Sequence, residues 1–160
     1  MLSMIPSVLR GVDFRDLEKI KAIIREAYPS MPQVSPEALA DWMQTSRSLL
    51  LVDVRSREEF AVSHLRGAIN VQSAKQIAET AEERNPSKTI LYCSVGFRSS
   101  RMAQILSEQG FADIMNLEGS IFQWANEGHP IYRGEVLVQK VHPFGKRWAG
   151  LLKPGLASAC

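Results

Sequence analysis

Thr89-Ile90-Leu91-Tyr92-Cys93-Ser94-Val95-Gly96-Phe97-Arg98-Ser99-Ser100-Arg101 is the stretch that decides how this chain folds. Thr89, Ile90, Leu91 and Tyr92 are β-branched, aliphatic or aromatic, and they read as a strand covered on both faces. From Ser99 to Gln109 the side chains of Met102, Ile105 and Leu106 recur at helical spacing, and Gly110 stands where a left-handed C-cap belongs. Between strand and helix lies a short turn that opens on a cysteine. In a parallel α/β sheet, ligands bind just beyond the carboxyl ends of the strands, which is where Cys93 falls.

Working outward, the same alternation continues. Leu49-Leu50-Leu51-Val52 is a continuous apolar run, Ser56–Val62 a polar helix, Gly67–Val71 a short strand and 73–84 a helix. After the central helix, Ala112–Leu117 reads as a strand. Ile121, Trp124 and Ala125 mark a last helix closed by Gly128 and Pro130. Strands alternating with helices predict βαβ units, hence a mostly parallel sheet with helices on both faces.

Upstream, Phe14, Leu17, Ile20, Ile23, Ile24 and Ala27 form the stripe of an amphipathic helix over 13–28. Three prolines in the nine residues from Tyr28 to Pro36 make an extended connector. Ser35-Pro36-Glu37 then starts a helix, with a hydroxyl cap, proline at its first position and an acid in its first turn. Downstream, Gly134–Cys160 carries Lys140, Lys146, Arg147 and Lys153 against Glu135. The same stretch holds Val136, Leu137, Val138, Phe144, Trp148, Leu151 and Leu152, too apolar for a disordered tail, so it is expected to pack on the body. This divides the chain into an N-terminal helix and connector (1–33), a central domain (34–133) and a C-terminal extension (134–160).

The whole chain is 160 residues, 45% hydrophobic and 22% charged, with a formal charge of +2. That is one ordinary domain, and the balance gives no reason to expect nucleic acid. No apolar run approaches membrane-spanning length. Met1–Leu9 lacks the basic flank of a signal peptide, and early acids at Asp13, Asp16 and Glu18 argue against a mitochondrial leader, so the expected location is cytoplasmic. Cys93 and Cys160 make no disulfide framework, and the three histidines show no metal-ligand spacing. Neither a metal nor a cofactor is expected.

The turn itself suits an anion. Its successive N–H groups can converge on one point, the following helix adds positive potential, and Arg98 adds a full charge. Together they favour the thiolate of Cys93, the nucleophilic form, and would hold an anion built on its sulfur. The alternative is a buried structural thiol; the position favours a cysteine exposed at a cleft.

Three ordered segments resemble the rhodanese family of persulfide-forming sulfurtransferases. They are Leu51-Val52-Asp53-Val54-Arg55 with Glu58-Glu59-Phe60 and Ser63–Val71, then Cys93–Ser99, then Asn116-Leu117-Glu118-Gly119-Ser120 with Trp124 and Gly128-His129-Pro130. The resemblance implies a five-stranded parallel sheet of order 1-5-4-2-3 between helical layers. It also implies that Cys93 opens a persulfide-binding loop of Ser94, Val95, Gly96, Phe97, Arg98 and Ser99. A donor (thiosulfate, mercaptopyruvate or a persulfide) would load sulfur onto Cys93, and a thiophilic acceptor such as cyanide or a thiol would remove it. Asp53, Arg55 and Glu59 would support the carboxyl edge of the sheet, and His64 would be structural.

Ser94 and Val95 are neutral where thiosulfate-using members often carry basic residues, which points to other donors. Ser120 stands at the second of two positions where glycines are frequent, and is read as a cap of the last helix. Cysteine phosphatases of related folds place one residue more between cysteine and arginine, so that activity is disfavoured. Two further matters stay open: a persulfide carrier or protein-docking module using the added helix and tail, and whether the N-terminal helix packs on the same domain or pairs with its copy to form a homodimer. Cys160 is a resolving thiol only if the tail reaches Cys93.

Overall fold

In the computed structural model, the described residues are 16–45 and 48–159. Phe14, Met1–Leu9 and Cys160, each used in the sequence reading, lie outside them. In chain order the elements are α1 (Leu17–Ala27), β1 (Gln33–Val34), α2 (Pro36–Gln44), β2 (Leu49–Asp53), α3 (Arg57–Val62), β3 (Ile69–Asn70) and α4 (Ala74–Arg84). There follow β4 (Lys88–Tyr92), α5 (Phe97–Glu108), β5 (Ile114–Leu117), α6 (Ser120–Asn126), β6 (Ile131–Arg133), β7 (Val136–Val138) and a single 3-10 turn at Ala149–Leu151.

Local chemistry starts these helices. Asp16, Ser35, Ser56 and Ser73 each accept an N–H from the first turn of the helix that follows. Ser56 and Glu59 form a reciprocal capping box. Asn85, left-handed at φ 46, closes α4, and Gly110 at φ 92 follows α5.

The main sheet has the order β1-β5-β4-β2-β3, parallel throughout. Alternate residues of each strand point to opposite faces, and the core divides accordingly. Leu51, Ile90 and Tyr92 pack with Leu17, Ile20 and Ile24 of α1, Leu39 of α2 and Ile121, Phe122 and Trp124 of α6. Leu50, Val52, Leu91 and Cys93 face the other way, onto Ile77 of α4 and Ala103 and Leu106 of α5. The result is three layers. No helix among the described residues is long and apolar enough to cross a membrane.

Val141, Trp148, Leu151 and Leu152 are buried in the same core cluster as α1 and α6. Asn126 ties the extension down by donating to the Leu151 carbonyl and accepting the Lys153 N–H. Val136 and Leu137 do not pack with them: they are 65% and 58% exposed, contrary to expectation. They lie on an antiparallel hairpin, β6–β7, absent from the sequence reading, whose two-residue turn begins at Gly134 with φ 61.

Candidate active site

β4 delivers Cys93 to the carboxyl edge of the sheet, and α5 begins at Phe97, two residues earlier than the helical pattern suggested. Arg98 and Ser99 therefore belong to its first turn. Gly96 is the N-cap at φ 115, a conformation open in practice to glycine alone, and its N–H donates to Cys93 Sγ at 3.1 Å. The Ser99 hydroxyl lies 3.3 Å from the same sulfur and 2.5 Å from Asn116 Oδ1. Asn116 is held in turn by donating to Gln33 Oε1.

Cys93 is 1% exposed, so the thiol expected at an open cleft lies at the floor of an enclosed cradle. The reason is geometric. A turn tight enough to bring the Gly96 N–H onto the sulfur also surrounds it, and Ser94 and Val95 are buried with it.

Helix α6 grips the back of this turn. Ser120 Oγ accepts the Cys93 N–H at 3.1 Å, while the Ile121 and Phe122 N–H groups donate to the carbonyls of Cys93 and Ser94. Ser120 is thus not the cap read from the sequence. The N-cap position of α6 is Gly119, and the Ser120 hydroxyl hands its own hydrogen to the Leu117 carbonyl.

Arg98, whose charge the sequence assigns to substrate or thiolate stabilisation, donates from Nη1 and Nη2 to the two oxygens of Glu59 at 3.0 and 2.9 Å, and from Nη2 also to Ser94 Oγ. The Phe144 ring lies 4.6 Å from its guanidinium carbon. Burial alone would raise the Glu59 carboxyl. The hydrogen bonds and charge of Arg98, with the Ser56 N–H and Arg55, override that and lower it to about 2. Burial opposes the charge of Arg98, yet Glu59 and the nearby Cys93 push its pKa upward.

Asp53 and Arg55 form a fully buried fork, Nε–Oδ1 at 2.9 Å and Nη2–Oδ2 at 2.7 Å, and Nη2 also reaches the Ser63 carbonyl. Glu59 belongs to the Arg98 pair rather than to this one. Burial would lower Arg55; Asp53 more than compensates and raises it. Tyr92 is pushed well above its ordinary value by burial, and its hydroxyl accepts the Leu65 N–H.

His64 donates from Nδ1 to the Leu65 carbonyl, since its Nε2 accepts the Gly134 N–H at 3.0 Å. Its ring stacks on Phe60 at 4.1 Å. It pins the hairpin and makes no contact with the sulfur. Phe97 packs edge-on against Tyr28, while Arg101 is exposed. Among the described residues no cluster of His, Cys, Asp and Glu could hold a metal ion.

Residues 35–127 match the model of the rhodanese-like domain. This chain belongs to the rhodanese-like domain family. A probable adenylyltransferase/sulfurtransferase MoeZ of Mycobacterium tuberculosis is 31% identical over 133 residues, 78% of this chain. The chain spans 33% of that relative's length. A sulfurtransferase of Allochromatium vinosum is 28% identical over 103 residues, 64% of this rhodanese-like chain and 96% of its own. A rhodanese-related protein of Thermoplasma volcanium shares the fold, with a TM-score of 0.53 at 24% identity, over 64% of this chain and 98% of its own. Gln33, Asn116 and Ser120 were missed as partners of the loop, although Asn116 and Ser120 sit inside the third resembling segment.

Proposed function

We propose that this rhodanese-like protein is a sulfurtransferase working through a persulfide on Cys93. One observation carries the reading: the Cys93 sulfur directly follows a buried parallel strand and receives the Gly96 N–H at the start of α5. An N–H aimed at the sulfur suits a sulfur nucleophile and a persulfide built on it. The thiolate attacks the outer sulfur of a donor, for example R–S–SH. The new S–S bond forms as the donor's breaks, giving Cys93–S–SH and R–S⁻. An acceptor such as cyanide then takes the outer sulfur, leaving as thiocyanate and returning the thiolate. Thiosulfate, which releases sulfite, and persulfides fit this balance; with mercaptopyruvate the bond that breaks is C–S, and the enolate of pyruvate leaves and takes up a proton. Because Cys93 is enclosed, the donor must present its sulfur end-on to the loop.

The test is intact mass after incubation with each donor. A single added sulfur that Cys93→Ser abolishes supports the reading, and no adduct with any donor defeats it. Turnover of an aryl phosphate, without sulfur transfer, would move the assignment to a phosphatase.

A carrier or docking module is the second reading, favoured by the exposed Val136 and Leu137 on β7. Val138 of the same strand lines an open groove of about 560 Å³ together with Val62, Arg133 and Lys140. Removing the extension would expose the core, so the discriminating variant is Val136→Ser with Leu137→Ser. Transfer to cyanide that stays intact while transfer to a protein acceptor is lost would favour the module.

A further inference from the structure

Ser120 combines two features that a surface cap does not explain. Its φ is +50, a left-handed conformation that strains a non-glycine residue and persists only where its surroundings hold it. It is fully buried, with its hydroxyl used twice, accepting from Cys93 N at 3.1 Å and donating to the Leu117 carbonyl at 3.2 Å.

The consequence lies in the peptide planes of the loop. The first turn of α6 holds the Cys93 carbonyl through Ile121 N–H and the Ser94 carbonyl through Phe122 N–H, at 3.2 and 3.0 Å. A trans peptide points its N–H opposite to its C=O. With those carbonyls turned onto α6, the N–H groups of Ser94 and Val95 are turned away from it. The Cys93 N–H is the first group of the loop, and among the described residues it is the Ser120 hydroxyl that accepts it. A glycine at position 120 would adopt the same φ without strain but leave that buried N–H unpaired.

We propose that Ser120 is a positioning residue for sulfur transfer: its hydroxyl fixes the peptide of Cys93 on α6 and thereby sets where the sulfur sits under its donors. The role rests on the sulfurtransferase reading above. Ser120 touches neither donor nor acceptor, so it acts through Cys93 and on the rate rather than on substrate affinity.

The experiment compares Ser120→Gly and Ser120→Ala with the wild type in the full chain, recording melting temperature and the kinetics of sulfur loading onto Cys93. Ser120→Gly removes hydroxyl and strain together; Ser120→Ala removes the hydroxyl and keeps the strain. Both are expected to lose about 10-fold in kcat, with KM for the donor within about twofold of wild type. Ser120→Gly should melt above Ser120→Ala. Wild-type kcat in Ser120→Gly would overturn the role. So would losses of kcat that follow the losses of melting temperature in the two variants. A wild type that never gains sulfur overturns the sulfurtransferase reading itself, and this role with it.

Discussion

Arg98 and Glu59 close on each other as a two-pronged pair, Nη1 to Oε2 at 3.0 Å and Nη2 to Oε1 at 2.9 Å, beside the Cys93 loop. Glu59 is simultaneously the acid of the α3 capping box, so one carboxylate joins the start of α3 to the first turn of α5. The pair ties Arg98, a cation that feels the Cys93 charge, to a buried carboxylate.

Glu59 makes stability depend on acid. Its folded pKa of about 2 lies below the ordinary 4.5, so the stabilisation is complete above about pH 4.5 and is lost as pH falls toward 2. Complete loss corresponds to about 3 kcal/mol. Urea unfolding at neutral pH and near pH 3 should show the decline in wild type and a flatter dependence in Glu59→Gln. Equal acid sensitivity in both proteins would contradict it.

The donor should be singly charged or neutral. Ser94, Val95, Gly96 and Phe97 carry no charge, and Arg98 is paired. We expect kcat/KM for a low-molecular-weight persulfide to exceed that for thiosulfate by about 10-fold or more, the worth of one missing charge-assisted contact. Glu59→Gln, which releases Arg98, should shift the ratio toward thiosulfate. A wild type that prefers thiosulfate would refute the expectation.

Gly96→Ala should fold but load sulfur poorly. A Cβ there meets Asn116 Nδ2 at 3.1 Å with φ at 115, so the N–H that faces the sulfur must move. Destabilisation of about 1–3 kcal/mol is expected, with a loss of loading rate in stopped-time mass measurements. Unchanged loading would mean that this N–H is dispensable.

Arg55→Ala leaves Asp53 charged and buried without its partner. The expected cost is about 3–5 kcal/mol in chemical denaturation. A cost under about 1 kcal/mol would show that the fork contributes nothing net.

Trp148→Ala tests whether the extension is part of the core. Trp148 packs edge-on against Phe144 and is buried in the cluster that holds α1 and α6. Truncation should cost about 3–5 kcal/mol, read from the urea midpoint. A loss confined to the extension, with the main transition unmoved, would show that it folds independently.

The parallel layers and the place of Cys93 at the carboxyl end of a strand were legible because they depend on near neighbours in the chain; the strand order, which pairs segments as distant as Gln33 and Asn116, came only through the family resemblance. Runs such as Leu49–Val52, helix starts such as Ser35-Pro36 and the loop around Gly96 each state their local conformation through periodicity, caps and φ preference. The hairpin at Gly134 carries a local signal too, a glycine-led two-residue turn between Ile131-Tyr132-Arg133 and Val136-Leu137-Val138, which the composition of 134–160 does not show.

Tertiary structure alone decided which partners meet across the chain. Nothing local pairs Arg98 with Glu59, brings Ser120 to the Cys93 N–H, places Asn116 against Ser99, or encloses the sulfur, since each contact joins segments that β-strand pairing and helix packing bring together from far apart. Backbone preferences are set residue by residue along the chain. Hydrogen-bond partners and burial depend on which distant groups arrive, and only the assembled layers determine that.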